Sequence, residues 1–379
     1  MKLTFDQRIK QALAERQTQG LQRQLMQLDN ANSVSLYQQR QHYLNFSSND
    51  YLGLARDGSL AEAWKKGIDL LGNGSGSSPL VTGFSHAHQA LEHRLCEWLG
   101  YSRAILFGSG FSANQAMIFA LMQKGDLLLQ DKLNHASLIE AGMLSAATMK
   151  RFKHNDIEHL ENLLEGHPLV VTEGVFSMDG DLAPLPAIAN ITQDNAWLAV
   201  DDAHGIGVLG QGRGSCHQAG IKPQLQVVTF GKAFGLSGAA ILCDEQTGDY
   251  LTQFARHHVY STAIPPSLAY ALTHAIDMID AQQWRRDKLQ QLQACYDELC
   301  GQLPGYVETQ TPIKPLLIAS SERALSVATK LREKGFWLTA IRPPTVPVDG
   351  ARLRITLTAA HTLEQVTQLS AALKVALEV

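Results

Sequence analysis

The sequence predicts an α/β protein, a large and mostly parallel sheet domain followed by a smaller C-terminal α+β domain. Three observations predict it. From residue 102 onward, short apolar runs at 104–107, 126–130, 169–172, 197–200, 226–230 and 239–243 alternate with helical patterns. Residues 266–303 read as helical throughout and carry the chain to its second domain. Beyond them the pattern gives a strand near 315–319, a helix near 322–334, strands near 337–341 and 352–358, and a last helix from 362. Continuous apolar runs, rather than alternating ones, are what a parallel sheet covered on both faces requires.

The chain of 379 residues is long enough for two or three domains. We divide it into an N-terminal helix and arm at 1–45, a large domain at 46–285 and a small domain at 286–379. Ile9, Leu13, Leu21 and Leu25 recur at near-helical spacing, so an amphipathic helix is expected within 1–28, packed on something larger. Gly72-Asn-Gly-Ser-Gly-Ser-Ser78 is the most flexible stretch inside the body. In a compact domain such a loop is more often functional than a linker.

Lys and Arg number 32 against 36 Asp and Glu, a net charge of −4, which is no electrostatic footprint for nucleic acid. The five cysteines form no CxxC pair, so neither a disulfide framework nor a cysteine zinc site is expected, and no other metal site is assigned. The N-terminus shows no secretory h-region, and no stretch approaches the ~20 apolar residues of a membrane span. A cytoplasmic protein without nucleic-acid or membrane partners is expected.

Two motifs are decoys. Gly205-Ile-Gly-Val-Leu-Gly210 has dinucleotide-site spacing, but Gln211-Gly-Arg-Gly follows instead of a helix, and position 230 is Phe rather than acidic. Gly231-Lys232 is no P-loop, because Ala233 replaces the hydroxyl that would hold magnesium.

Thr229-Phe-Gly-Lys232-Ala-Phe-Gly235 is the stronger signal. A lysine at the end of an apolar run, hemmed by glycines, is unusual, since lysines are mostly exposed. In an enclosed apolar site its amine loses proton affinity and becomes the nucleophile of a Schiff-base lysine. The alternative is a loop lysine at a strand end. Asp201-Asp-Ala-His204 ends another apolar run one strand–crossover–strand step earlier, so both segments can meet at the carboxyl edge of one sheet. Pyridoxal phosphate (PLP) needs a carboxylate against its ring nitrogen, and Asp201 is the candidate. His204 can reach the phenolic oxygen. Metal ligation or simple capping is the alternative for this motif. Gly108-Ser-Gly110-Phe111-Ser-Ala-Asn-Gln115 joins a strand to a helix, where backbone N–H groups suit a phosphate; a plain strand-to-helix turn is the alternative. His135 stands at another helix start, where a flat imidazole can stack on a flat cofactor ring; a structural histidine is the alternative.

Together with Asn45-Phe-Ser-Ser-Asn-Asp-Tyr-Leu-Gly53, Thr172-Glu-Gly-Val-Phe-Ser-Met-Asp-Gly180, Tyr260-Ser-Thr-Ala-Ile-Pro-Pro266 and Arg352-Leu-Arg-Ile-Thr356, these segments resemble the α-oxoamine synthases. The resemblance runs over essentially the whole chain and implies the PLP-dependent transferase fold type I, like aspartate aminotransferase. Arg342-Pro-Pro-Thr-Val-Pro347 and His88-Gln-Ala-Leu-Glu92 are similar to one branch. That branch condenses L-alanine with pimeloyl-CoA, or the acyl group on a carrier protein, releasing CoA and CO2 in biotin synthesis.

The resemblance implies residue roles. Lys232 would carry PLP and move the Cα proton, and Asp201 would pair the ring nitrogen. His204 and Ser177 would contact the phenolic-oxygen side, with His135 stacked on the ring. Backbone at Gly110 and Phe111, with the Thr229 hydroxyl, would hold the phosphate. Thr262 would reach the phosphate of the partner subunit in a homodimer with shared active sites. Arg354 would hold the amino-acid carboxylate, helped by Asn49, and Thr345 and Arg23 would sit on the acyl-CoA side. The glycine-rich loop departs from the branch: it reads Gly76-Ser-Ser-Pro-Leu80 where Gly-Gly-x-Gly-His is frequent. Three rival readings are a sister synthase using glycine or serine with another acyl-CoA, a metal-dependent hydrolase on Asp201, Asp202 and His204, and a non-catalytic PLP-fold regulator.

Overall fold

In the computed structural model, which describes residues 3–30, 33–343 and 345–378, the six apolar runs of the middle chain become neighbours in one sheet. The chain begins with helix α1 (Phe5–Thr18), the hairpin β1 (Ser35–Gln38) and β2 (Gln41–Asn45), and helices α2 (Gly58–Leu71) and α3 (His86–Leu99). Then strands and helices alternate: β3 (Arg103–Phe107), α4 (Gly110–Leu121), β4 (Leu127–Asp131), α5 (Ala136–Leu144), β5 (Thr148–Phe152), α6 (Ile157–Glu161), β6 (Leu169–Glu173), α7 (Leu185–Thr192) and β7 (Trp197–Asp201). They are followed by α8 (Ser215–Gln218), β8 (Leu225–Thr229), β9 (Ala239–Cys243), α9 (Glu245–Phe254), α10 (Arg256–Val259), α11 (Pro266–Ala281) and α12 (Gln283–Cys300). The last part holds β10 (Ile313–Ala319), α13 (Ser321–Glu333), β11 (Phe336–Trp337), β12 (Thr339–Ile341), β13 (Ala351–Thr356) and α14 (Leu363–Leu377).

The main sheet has seven strands in the order β3-β9-β8-β7-β6-β4-β5, and β9 alone runs antiparallel to its neighbours. Successive side chains go to opposite faces. Val227 packs into one core and Val228 into another, and Ala199 and Val200 divide the same way. This is why the strands read as unbroken apolar runs. A second sheet, β10-β13-β12, is antiparallel. A third joins β1 and β2 to β11, so residues from both halves of the sequence share it.

Three strands escaped the sequence reading, each for a reason. β5 is the sheet edge, and its Lys150 and Arg151 are the charges that protect edges. β1 and β2 are short and mix polar with apolar residues, and their hairpin turns through Gln39 and Arg40, both at positive φ (51° and 67°), without the Asn-Gly signal such turns prefer.

Two expectations are corrected. The N-terminal helix covers only Phe5–Thr18, ending short of Leu21 and Leu25, and none of its residues is buried within this chain. A capping box from Thr4 and Gln7 starts it, and Gly20 at φ 65° stops it. Leu25, expected within the helix, is fully exposed beyond it. The helical stretch 266–303 is two helices. Gln282 breaks it at φ −99°, ψ 62°, and its Oε1 accepts from Arg285 Nε at 2.7 Å to start α12.

The edge of the sheet is tied by His154, which donates from Nδ1 to Asp131 Oδ1 at 2.9 Å and from Nε2 to Asp181 Oδ2 at 2.8 Å. Burial disfavours its charge, but the two carboxylates outweigh burial and raise its pKa to about 10. A folded-state pKa above the unfolded 6.5 stabilises fully below about pH 6.5, and the contribution is lost as pH rises toward 10. His154→Gln is therefore expected to lose about 1–3 kcal/mol at pH 6 and much less at pH 10. Urea unfolding of both proteins across that range checks it, and a pH-independent difference would refute the charged pair.

Candidate active site

The parallel strands deliver their carboxyl ends to one edge, where ligands of α/β sheets bind. Segments following β3, β4, β6, β7 and β8 enclose a cavity of about 360 Å³ there. Its wall includes Lys232, Asp201, His204, His135, Thr229 and Gly110. Asn49 and Phe111 also line it. The tie between Asp201 and Lys232 drawn from sequence is a parallel pairing of β7 with β8.

Lys232 lies in a loop that closes on itself: Phe230 N donates to Gly238 O and Leu236 N to Phe230 O, each at 2.9 Å. Phe230 and Phe234 are fully buried on either side and anchor the loop in the core. Gly235 has φ 67°, and a Cβ there would lie 2.3 Å from Ala55 N, so only glycine fits. Burial pulls the Lys232 ammonium down to about 8; Asp201 and Glu173 oppose that and Arg354 reinforces it.

Asp201 is buried, and its Oδ2 accepts from Asn114 Nδ2 at 2.7 Å while Oδ1 accepts from Ala203 N at 3.0 Å. The adjacent Asp202 turns away, into a network with Ser215 and Gln226. Among the described residues no group of side chains has the arrangement of a metal site. The decoy Gly205–Gly210 segment opens no dinucleotide helix; it folds back through an Ile206–Arg213 bridge.

His135 caps α5, its Nδ1 accepting from Ser137 N at 3.2 Å. Burial keeps its pKa low, against the pull of Asp201. His204 meets the fully buried Tyr51 through Nδ1 and the phenol at 2.6 Å. Burial drives His204 well below its ordinary pKa, and Lys232 and Arg354 push the same way. Both imidazoles are thus neutral near pH 7.

Arg354 is buried; Nε donates to Ser177 O at 2.5 Å, and Nη1 donates to Asn49 Oδ1 at 3.0 Å and Thr356 Oγ1 at 3.1 Å. Ser177 therefore meets Arg354 with its backbone carbonyl, and Asn49 braces the guanidinium.

Gly110 opens α4 against Thr229: a Cβ at Gly110 would lie 2.5 Å from Thr229 Cγ2. Thr229 Oγ1 is buried without a hydrogen-bond partner. A hydroxyl left orphaned beside the unsatisfied first N–H groups of a helix fits an anion such as a phosphate.

Arg23, Thr262 and Thr345 are exposed and outside this wall. Arg342 Nη1 donates to Gly20 O at 3.1 Å, bringing the N-terminal arm to the loop that carries Thr345. Asn114, Tyr51 and Glu173 lie inside the quoted segments, but no role was read for them. Glu173 lies beside Asp201 in register, and burial raises its pKa far above the carboxylate range, with Asp201 adding to that.

The family described as aminotransferase class I and II matches residues 41–373. An 8-amino-7-oxononanoate synthase of Vibrio cholerae serotype O1 is 64% identical over 381 residues, covering 100% of this chain and 99% of its own. The solved 8-amino-7-oxononanoate synthase of Francisella tularensis is 33% identical with a TM-score of 0.79, over 89% of this chain and 97% of that one. A serine palmitoyltransferase of S. paucimobilis, solved with a bound PLP–myriocin aldimine, is 25% identical with a TM-score of 0.92, over 99% of this chain and 98% of that one. The chain belongs to the aminotransferase class I and II family, in the group of the 8-amino-7-oxononanoate synthases.

Proposed function

We propose that the protein is a PLP-dependent acyltransferase that joins L-alanine to pimeloyl-CoA or a pimeloyl-carrier protein, giving 8-amino-7-oxononanoate, the free thiol and CO2. The observation that carries this is one cavity holding Lys232, Asp201, His135 and His204 in a chain 64% identical to a synthase of that name. The orphaned Thr229 hydroxyl beside Gly110 supports PLP as the occupant.

Bound PLP supplies an electron sink for charge at the amino-acid Cα. The chain's own residues do the rest. Lys232 holds the cofactor and then takes and returns the Cα proton at Nζ. Its depressed pKa leaves a usable fraction of free amine near neutrality. Asp201, fixed by Asn114 and Ala203, would pair the ring nitrogen. His135 would stack on the ring, and His204, fixed by Tyr51, would serve the phenolic-oxygen side with Ser177. Thr229 with the N–H groups of Gly110 and Phe111 would hold the phosphate.

Arg354 receives the alanine carboxylate, held in place by Ser177, Asn49 and Thr356. The acyl donor enters past Arg23 and Thr345, a placement supported by the Arg342 bond to the arm. Thr262 completes the site of a second subunit in a cytoplasmic homodimer. Its exposure next to the exposed Tyr260 supports that role. Among the described residues no helix is long and apolar enough to cross a membrane.

A second reading, a sister synthase taking serine or glycine, draws on the higher TM-score of the serine palmitoyltransferase. Assaying alanine, serine and glycine against pimeloyl-, palmitoyl- and acetyl-CoA decides between them. Preference for alanine with the pimeloyl donor is expected; preference for serine with palmitoyl-CoA would overturn the main reading.

Lys232→Ala is expected to bind PLP without a borohydride-fixable link and to lose turnover by at least 1,000-fold, on the order of a lost general base and nucleophile. Wild-type turnover in that variant would remove Lys232 from the mechanism. Arg354→Lys keeps the charge but loses the planar fork, and is expected to raise KM for alanine by roughly tenfold or more. An unchanged KM would place the carboxylate elsewhere.

A further inference from the structure

The mechanism uses Asp201 and His135 as separate groups, but the structure joins them. Asn114 Nδ2 donates to Asp201 Oδ2 at 2.7 Å and to Ser137 Oγ at 2.9 Å. Ser137 Oγ in turn lies 2.8 Å from His135 Nδ1. Asn114 is 1% exposed and Ser137 0%, so water does not compete for these bonds.

Directions in the chain are fixed by chemistry. Ser137 N can only donate, so His135 Nδ1 is an acceptor and its ring proton sits on Nε2. Ser137 Oγ receives the Asn114 amide hydrogen and is left with its own hydrogen for Nδ1. Asp201 can only accept while ionised, so Asn114 must present its NH2 group to Asp201 and Ser137 together. That leaves Asn114 Oδ1 buried with no partner, a penalty the fold accepts to keep the amide in this orientation.

We propose that Asn114 is a positioning residue that locks the Asp201 carboxylate and, through the Ser137 hydroxyl, the His135 ring into one rigid unit. The inference rests on the PLP reading of the cavity. Asp201 would meet the edge of the cofactor ring and His135 its face, since both line the cavity. A link between them fixes the slot into which the ring fits before the cofactor arrives. Preorganisation of this kind appears as affinity. Asn114 lines the cavity, but both of its amide hydrogens are committed, to Asp201 and Ser137, so it acts through Asp201 and His135.

The test is absorbance titration of the full-length apoprotein with PLP, alongside thermal melting. Asn114→Ala is expected to raise the PLP dissociation constant by about tenfold or more, since it removes a hydrogen bond to a charged group. Ser137→Ala is expected to raise it by about threefold. The double variant should bind within about twofold of Asn114→Ala, because both residues act through one chain. Ile118→Val, a buried core change on the same helix, should lower the melting temperature without moving the dissociation constant.

Equal PLP affinity in Asn114→Ala and wild type, or effects that multiply in the double variant, would overturn the positioning role. So would an Ile118→Val protein with the same loss of affinity. If Asn114→Ala does not fold, Asn114→Ser replaces it in the same comparison. An apoprotein of wild-type sequence that takes up no PLP would instead overturn the cofactor reading itself.

Discussion

Asp202 carries a carboxylate with no exposure to water, and Ser215 N, Ser215 Oγ and Gln226 Nε2 converge on it at 2.9, 2.6 and 2.9 Å. Its own N–H donates to Val227 O, and its carbonyl accepts from Gly205 and Ile206. Burial pushes its pKa up to about 7, and the three donors hold it down against that. Around it the backbone is packed so closely that a Cβ at Gly174, Gly205 or Gly214 would lie 1.9, 2.1 or 2.0 Å from Ser215 Oγ or Asp202 itself. This anchor decides where the turn after β7 goes. It sends Asp201 to the cavity side and lets His204 come back to Tyr51. The end of β6, at Glu173, is pressed onto the same anchor through the following Gly174.

A second constraint is dryness. Burial is the largest influence on Lys232, His135, His204 and Glu173, and in each case it disfavours charge. The imidazoles stay neutral, Glu173 is held up in its protonated range and the lysine is pulled toward neutrality. Asp201 differs in its partners: an amide and a backbone N–H both donate to its carboxyl oxygens. Those two donors fix the carboxyl group in a single orientation.

The core strands were legible because they are covered on both faces, so the apolar runs at 197–200 and 239–243 match β7 and β9 within a residue. Lys232 and Asp201 were legible because a charged residue ending such a run has few structural uses. Edge elements were not: β5 carries charges for its own protection, and the β1–β2 turn uses Gln39 and Arg40 where a glycine signal was needed. The N-terminal periodicity misled, since amphipathic spacing says that a face exists, not what it packs against. Tyr51, Asn114 and Glu173 were beyond sequence reasoning in another sense. Their significance lies in contacts 87 or 153 positions away, as for Asn114 with Asp201 and Tyr51 with His204.

The third sheet has a consequence for synthesis. Leu44 pairs with Phe336, and Asn45 with Trp337, so partners in one short parallel ladder lie 292 positions apart. His361 adds a stacked contact on Phe46, with centroids 4.2 Å apart, and a bond to Asn45 O at 2.9 Å. At ribosomal rates of about 5–20 residues per second, the N-terminal hairpin waits roughly 15–60 s for these partners to be made. During that time β2 is an open edge, available to the same edge on another nascent chain.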